Sequence, residues 1–323
     1  MNRRDTVVAL LALAPSPHAV RAQQAKKVYR IGLLSLALPR ESFVAIVSAL
    51  RELGYEEGRN IVFEYRLAEG KEDRLPGLAA DLVAKKVDLI VALVNPEILA
   101  AKRATSTIPI VMARSMAPVE TGLIASLARP GGNVTGTTIQ APETGGKILE
   151  VLRDAVPRVS RVTTLSEPEF PGMELYRREA ERAAKAMGIR LTPQPARNLA
   201  ELEAAFALTA RERPDALFVV PTGAIFTHRA RVIEFAARQR LPAIYTSKQP
   251  VTEGGLISYA ADRGALLRRC AAIIDRVRKG AKPADVPVEQ PVKYELVINL
   301  KTAKAIGLTI PQSLLVRADE VIQ

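Results

Sequence analysis

The chain has 323 residues, which is enough for two domains that each bury a hydrophobic core. Hydrophobic residues make up 48% and charged residues 25%, as in globular proteins, and one cysteine with two histidines excludes a disulfide framework, a cysteine-based cluster and a histidine-rich metal site. The net charge is +12, but the chain has no tryptophan and its basic residues are interspersed with acidic ones, which argues against a nucleic-acid partner.

The first predicted element is a processing signal over residues 1–22. Arg3 and Arg4 precede a short apolar run, residues 7–14, and small residues lead to Ala22. The run is too short for a membrane span, which needs about 20 residues. We therefore predict cleavage near Ala22 and a periplasmic protein of net charge +10, because the segment carries three arginines and one aspartate. Sec and twin-arginine export both stay open.

The first half of the remaining chain alternates apolar runs with amphipathic segments. Apolar strands separated by helices are typical of a parallel sheet covered on both faces. The predicted elements are strand 28–34, helix 43–53, strand 61–65, helix 74–86, strand 87–94, helix 96–105, strand 108–113 and strand 134–139.

The same alternation restarts after residue 140. The predicted elements are helix 142–155, strand 161–165, helix 172–187, strand 189–193, helix 199–211, strand 216–220, helix 224–239, strand 243–245, strand 256–259, helix 263–279, strand 294–299 and a short helix ending at 306. This pattern predicts an α/β fold of two doubly wound lobes. We assign residues 27–139 plus about 253–282 to lobe 1, and 140–252 plus about 286–323 to lobe 2; the sheet that each C-terminal element joins stays open.

The chain lacks the common catalytic motifs. It has no nucleophile elbow, no phosphate-binding loop and no dinucleotide fingerprint, and no residue is clearly placed to act with His228 as an acid or base. We therefore predict no catalytic residue, no metal and no cofactor.

Small polar residues follow the carboxyl ends of the predicted strands, where open α/β sheets bind ligands. They lead into helix N-termini, whose free N–H groups favour acceptor atoms, although simple helix capping is an open alternative for each. The candidate ligand-binding residues are Ser35, Asn95, Ser115, Thr137, Thr138, Ser166, Glu167, Thr222, Tyr245 and Ser247.

Several stretches resemble the family of ABC-transporter substrate-binding proteins whose characterised members include aromatic amino-acid binders. They include residues 50–55 (LRELGY), 122–136 (GLIASLARPGGNVTG), 254–259 (GGLISY) and 297–303 (VINLKTA). The resemblance implies a type I periplasmic-binding-protein fold with two Rossmann-like lobes, a hinge of three crossing segments and a ligand held between the lobes. With the predicted export segment and the two repeated lobes, it leads us to expect a monomeric receptor that closes without chemistry and delivers its ligand to an inner-membrane ABC permease.

Two departures from the family pattern concern the ligand. Ala117 and Thr222 stand where relatives often carry aspartate, which leaves Glu167 as the clearest carboxylate candidate for an ammonium group. We therefore hypothesise a neutral or carboxylate-bearing small molecule, aromatic ones included, in preference to a standard amino acid. A periplasmic α/β enzyme and a ligand-sensing partner of a membrane sensor stay open as alternatives.

Overall fold

The structure is a computed structural model that describes residues 28–37, 39–139 and 144–323; the predicted signal segment lies outside the described residues. The first sheet is parallel throughout, in the order β2-β1-β3-β4-β5. Its strands are β1 (Tyr29–Ser35), β2 (Ile61–Leu67), β3 (Leu89–Ala92), β4 (Ile110–Ser115) and β5 (Val134–Thr138).

The second sheet has the order β12-β11-β10-β9-β8-β6-β7, and only the pair β10–β11 is antiparallel among its described strands. Its strands are β6 (Arg161–Ser166), β7 (Arg190–Pro195), β8 (Ala216–Val219), β9 (Ala243–Tyr245), β10 (Ile257–Ala261), β11 (Tyr294–Asn299) and β12 (Glu320–Ile322). Two α/β sheets built mainly of parallel strands confirm the predicted fold class.

Helices cover the faces of both sheets. They are α1 (Val44–Glu52), α2 (Leu75–Ala84), α3 (Asn95–Ala104), α4 (Thr144–Ala155), α5 (Met173–Met187), α6 (Leu199–Glu212), α7 (Gly223–Thr227), α8 (Arg229–Arg238), α9 (Gln249–Thr252), α10 (Arg263–Arg278), α11 (Leu300–Ile306) and α12 (Gln312–Leu315). Among the described residues, no helix is long and apolar enough to cross a membrane.

Burial of the central strands explains their sequences. Every residue of β3, β5 and β8 is buried, because helices pack on both faces of each sheet. Each sheet has a hydrophobic cluster on either face, so the described residues form four clusters in two lobes. Continuous apolar runs rather than alternating ones are therefore the signal that identified these strands.

Three segments connect the lobes. The chain leaves the first sheet after β5, returns between β10 and α10, and crosses again between Glu289, which is bridged to Thr137, and β11. Strand β10 pairs with β9 and β11 in the second sheet, whereas α10 packs its buried face, including Cys270, into a cluster of the first lobe. Segment 253–282 is thus divided between the lobes, in contrast to its assignment to lobe 1, because an apolar strand carries no mark of which sheet edge it joins.

Several local features differ from the predicted elements, among them the short helices α9 and α12, which were not predicted. The helix expected over 224–239 is two helices, α7 and α8, because the backbone of His228 leaves the helical region with φ −103° and ψ 24°. Strand β12 was not predicted; its three residues pair with β11 and are too few to show a period.

Candidate functional site

The cleft between the lobes contains two connected chambers. The large chamber has a volume of about 310 Å³ and the small chamber about 100 Å³. Both lobes contribute to each of them, and six wall residues are common to the two: Arg114, Met116, Ile139, Phe226, Thr246 and Ser247. A single ligand can therefore occupy both chambers.

The lobes touch at one side of the cleft through Asn95 and Met116. The Asn95 amide donates to the carbonyl oxygens of Met116 at 2.6 Å and of Pro171, in the other lobe, at 3.0 Å, and its Oδ1 accepts the Met116 N–H at 2.7 Å. The Met116 side chain belongs to the hydrophobic cluster of the second lobe. A methyl group on Gly172 would lie 2.8 Å from the Met116 carbonyl oxygen. The lobes are therefore closed upon each other.

Two arginines give the cleft its charge. Arg114 lies in β4 and lines both chambers, and Arg263 is the first residue of α10 and lines the large chamber. Neither guanidinium forms an ion pair or hydrogen bond with any residue that the structure describes. Burial and the neighbouring Arg263 lower the pKa of Arg114 to about 10, and burial lowers the pKa of Arg263. The positive end of the α10 dipole adds to this field, so the large chamber favours an anion.

The carboxylate of Glu97 acts electrostatically on Arg114, but backbone N–H groups already bind it. Glu97, at the third position of α3, is 1% exposed and accepts the backbone N–H groups of Leu36, Leu93 and Val94 at 2.5–2.9 Å. Burial raises its pKa to about 7 in spite of these bonds. Glu97 thus ties together the loops that follow β1 and β3, and three backbone N–H groups already occupy most of the acceptor sites of its carboxylate.

The two carboxylates of the large chamber are engaged as well. Asp262 caps α10 by accepting the Ala265 N–H at 2.9 Å and faces Lys293 at 3.9 Å. Glu295 lies 3.5 Å from Lys293 and 4.0 Å from Lys248. Among the described residues that line the two chambers, no carboxylate is left without a partner.

Aromatic rings form the opposite wall. The rings of Tyr259 and Tyr294 stack with centroids 5.5 Å apart and planes 11° from parallel, and the Tyr294 hydroxyl lies 3.1 Å from Oγ1 of Thr144. Tyr176 and Phe226 complete this wall. The Tyr176 hydroxyl has no partner among the described residues, and its burial raises its pKa. Such a surface suits a planar apolar group.

The predicted site residues divide into two groups. Thr222 and Ser247 line the small chamber, and their buried hydroxyls have no partner among the residues described. The other eight, all within the described part of the chain, are not chamber walls: Ser35, Asn95, Ser115, Thr137, Thr138, Ser166, Glu167 and Tyr245.

Several of these eight hold the backbone in place. The hydroxyls of Thr137 and Thr138 donate to the carbonyl oxygens of Ala113 and Ser115. Glu167 packs against Gly223, where a methyl group would meet its Oε2 at 1.9 Å, and burial raises the pKa of this carboxyl to about 7. These side chains shape the loops at the ends of β4, β5 and β8.

The wall residues that were not predicted from the sequence include Arg114, Arg263, Tyr176, Tyr259 and Tyr294. One signal was available for Arg114, which is the single charge in the apolar run of β4. The tyrosines had none, because they come together only when β10, β11 and α5 meet. The described residues contain no cluster of histidine, cysteine and carboxylate groups that could hold a metal ion.

Residues 40–322 match the model of a family described as ABC transporter substrate binding protein. The chain belongs to this family. It is 27% identical over 262 residues to a tyrosine-binding protein of Clostridioides difficile, which covers 81% of this chain and 75% of that protein. A domain solved in complex with L-Trp from Streptococcus pneumonia superposes with a TM-score of 0.86 at 26% identity, over 92% of this chain and all of that one. A conserved domain protein of Vibrio cholerae gives 0.86 at 25% identity, over 91% of this chain and all of that one.

These findings confirm the suspected family and the type I periplasmic-binding-protein fold. The family consists of substrate-binding proteins, and the chain is accordingly a ligand-binding receptor of an ABC importer.

Proposed function

We propose that this receptor serves the import of a small aromatic carboxylate, and that it prefers such an acid to a standard zwitterionic amino acid. The observation that carries the proposal is the pair of arginines, Arg114 and Arg263, facing a chamber without a free carboxylate among its described walls. A ligand carboxylate supplies the missing countercharge to both guanidinium groups.

The same observation disfavours an ammonium group. A desolvated, unpaired ammonium costs several kcal/mol, and the carboxylates Asp262, Glu295 and Glu97 are already held by lysines or backbone N–H groups. Placing a cation beside Arg114 adds repulsion. The relatives named for tyrosine and solved with L-Trp share an aromatic ring and a carboxylate with the proposed ligand. The proposed difference concerns the ammonium alone.

The binding mechanism is closure of the two lobes, with no bond made or broken. The carboxylate binds to Arg114 and Arg263 on the side of the first lobe, the ring packs on Tyr259 and Tyr294 on the side of the second, and Asn95 joins the lobes over the ligand. The receptor is a monomer that acts in the periplasm after removal of residues 1–22. The exposed tips of both lobes of the closed form dock the permease.

Calorimetry tests the ligand class. L-phenylalanine, its deaminated acid 3-phenylpropanoate and the neutral 3-phenylpropanamide have the same ring and differ only in charge. We expect 3-phenylpropanoate to bind at least tenfold more tightly than either of the others. Tighter binding of L-phenylalanine than of 3-phenylpropanoate would contradict the proposal, and so would tighter binding of tryptophan or tyrosine than of their deaminated acids. Turnover of a bound compound by the purified protein would support an enzyme instead.

A further inference from the structure

The small chamber has a composition of its own. Most of its walls are apolar side chains from both lobes, such as Leu36 and Val94 from the first and Phe170 from the second, and the engaged carboxylate of Glu97 also borders it. Arg114 stands at its junction with the large chamber. An aromatic carboxylate that fills the large chamber leaves this second space open, so the cleft has room for a further apolar substituent close to the carboxylate.

Two residues that line this chamber carry a hydroxyl with no partner in the part of the chain that the structure describes. The hydroxyl oxygens of Thr222 and Ser247 are fully buried and make no hydrogen bond with any described residue. Buried hydroxyls are almost always hydrogen-bonded in folded proteins, and both residues line the chamber, so rotation of these side chains toward a bound ligand would complete their hydrogen bonds. A hydroxyl both donates and accepts, and the pair therefore matches a group with one acceptor and one donor.

We propose that the small chamber is a subsite for a short acyl group joined through an amide beside the ligand carboxylate, so that the ligand class is the N-acyl aromatic amino acids. This deepens the proposed function and rests on it. The carboxylate lies at Arg114, the ring at Tyr259, the amide at Thr222 and Ser247, and the acyl methyl group or short chain among the apolar walls.

Acylation also removes the charge that the cleft does not accommodate. The nitrogen of an N-acyl amino acid is a neutral amide rather than an ammonium, so it needs a hydrogen-bond acceptor and no counterion. The amide nitrogen is one carbon away from the carboxylate, and Arg114 is the charged residue that borders both chambers among the described walls. One compound thereby matches the arginines and hydroxyls that have no partner among the described residues, and it needs no free carboxylate from the described chamber walls.

Three ligands distinguish the subsite proposal from the proposed function on which it rests. We expect N-acetyl-L-phenylalanine to bind at least tenfold more tightly than 3-phenylpropanoate, and both to bind more tightly than L-phenylalanine, in calorimetry of the full-length mature protein. Equal or weaker binding of the N-acetyl compound, with 3-phenylpropanoate still bound, would overturn the subsite and leave the proposed function standing. Failure of both acids to bind would overturn the proposed function.

Two variants locate the effect. Thr222→Val removes one unpartnered hydroxyl at nearly constant shape, and we expect it to weaken N-acetyl-L-phenylalanine by about fivefold and 3-phenylpropanoate by less than twofold. Val94→Phe fills the chamber and should abolish the advantage of the N-acetyl compound. Thr309→Val, at an exposed position of the second lobe, is the matched control. Equal effects of Thr222→Val on the two acids, or an N-acetyl advantage that survives in both chamber variants, would refute the subsite.

Discussion

The two lobes contribute different chemistry to the cleft. From the first lobe and the helix packed on it come the cations, Arg114 and Arg263, together with loops whose polar groups are satisfied by Glu97 and Asn95. The second lobe contributes stacked rings and hydroxyls that have no partner in the described part of the chain. In the proposed function, the first lobe therefore recognises charge, and the second recognises shape and supplies hydroxyls for the ligand.

Because the two lobes offer different groups, the proposed ligand contacts both lobes at once. A molecule with a carboxylate at one end and a ring at the other has its ends bound by different lobes, and its full binding energy is available only when the cleft is closed. Fragments that carry one end alone should bind weakly. The variants below remove the contribution of one lobe at a time.

The largest effect is expected from Arg114→Met. Removing one partner of a desolvated charge pair costs about 2–5 kcal/mol, so affinity for 3-phenylpropanoate should fall about 100-fold in calorimetry. Without ligand, the fold should be no less stable, because a pKa lowered to about 10 means that burial disfavours the charged guanidinium in the native state. Arg103→Met, on the exposed face of α3, controls for loss of a positive charge. Unchanged affinity in Arg114→Met would contradict the role of the first lobe.

Gly172→Ala should disturb closure itself. The added methyl group would approach the Met116 carbonyl oxygen of the other lobe to 2.8 Å, and such overpacking costs about 2 kcal/mol, or roughly 30-fold in affinity. Gly188→Ala has a similarly strained φ of +71° in the same lobe but meets nothing within 4 Å, so it controls for backbone strain. X-ray scattering with saturating ligand should show a more open particle for Gly172→Ala only. Equal loss of affinity in both variants would assign the effect to strain.

The ring wall of the second lobe should contribute less. Tyr259→Leu breaks the stack with Tyr294 while keeping apolar bulk, and aromatic pairs are worth about 1 kcal/mol beyond burial, so 3-phenylpropanoate should bind about fivefold more weakly. Hexanoate, which has a carboxylate and no ring, should be unaffected. A fivefold loss for hexanoate as well would show that Tyr259 acts on the fold rather than on the ring.

The fold was easier to predict from the sequence than the side chains that line the cleft. The order of strands and helices followed from continuous apolar runs, and the loops after the strands do surround the cleft. Side chains such as Thr137 and Thr138 were chosen for their polarity, yet they bind neighbouring carbonyl groups, which spacing along a chain does not reveal. The stack of Tyr259 on Tyr294 depends on the antiparallel pairing of two strands 35 residues apart in the chain, which only the fold supplies.

The smallest expected effect is a pH dependence of stability. Burial, with the like charges of Glu72 and Glu169, raises the pKa of Glu167 to about 7 against the opposing effect of Arg197. The native state then binds a proton that the unfolded state has lost, so this group favours folding below its ordinary pKa and ceases to do so as pH rises through 7. Glu167→Gln should therefore reduce the fall in Tm between pH 5 and pH 8. An unaltered fall would indicate that Glu97, whose pKa is raised in the same direction, accounts for all of it.

The most direct measurement is a crystal structure of the protein with 3-phenylpropanoate. We predict a closed cleft, carboxylate oxygens within hydrogen-bonding distance of the Arg114 guanidinium and the ring packed on Tyr259. A ligand whose carboxylate points away from both Arg114 and Arg263, or whose ring lies outside the large chamber, would contradict the assignment of charge to the first lobe and shape to the second.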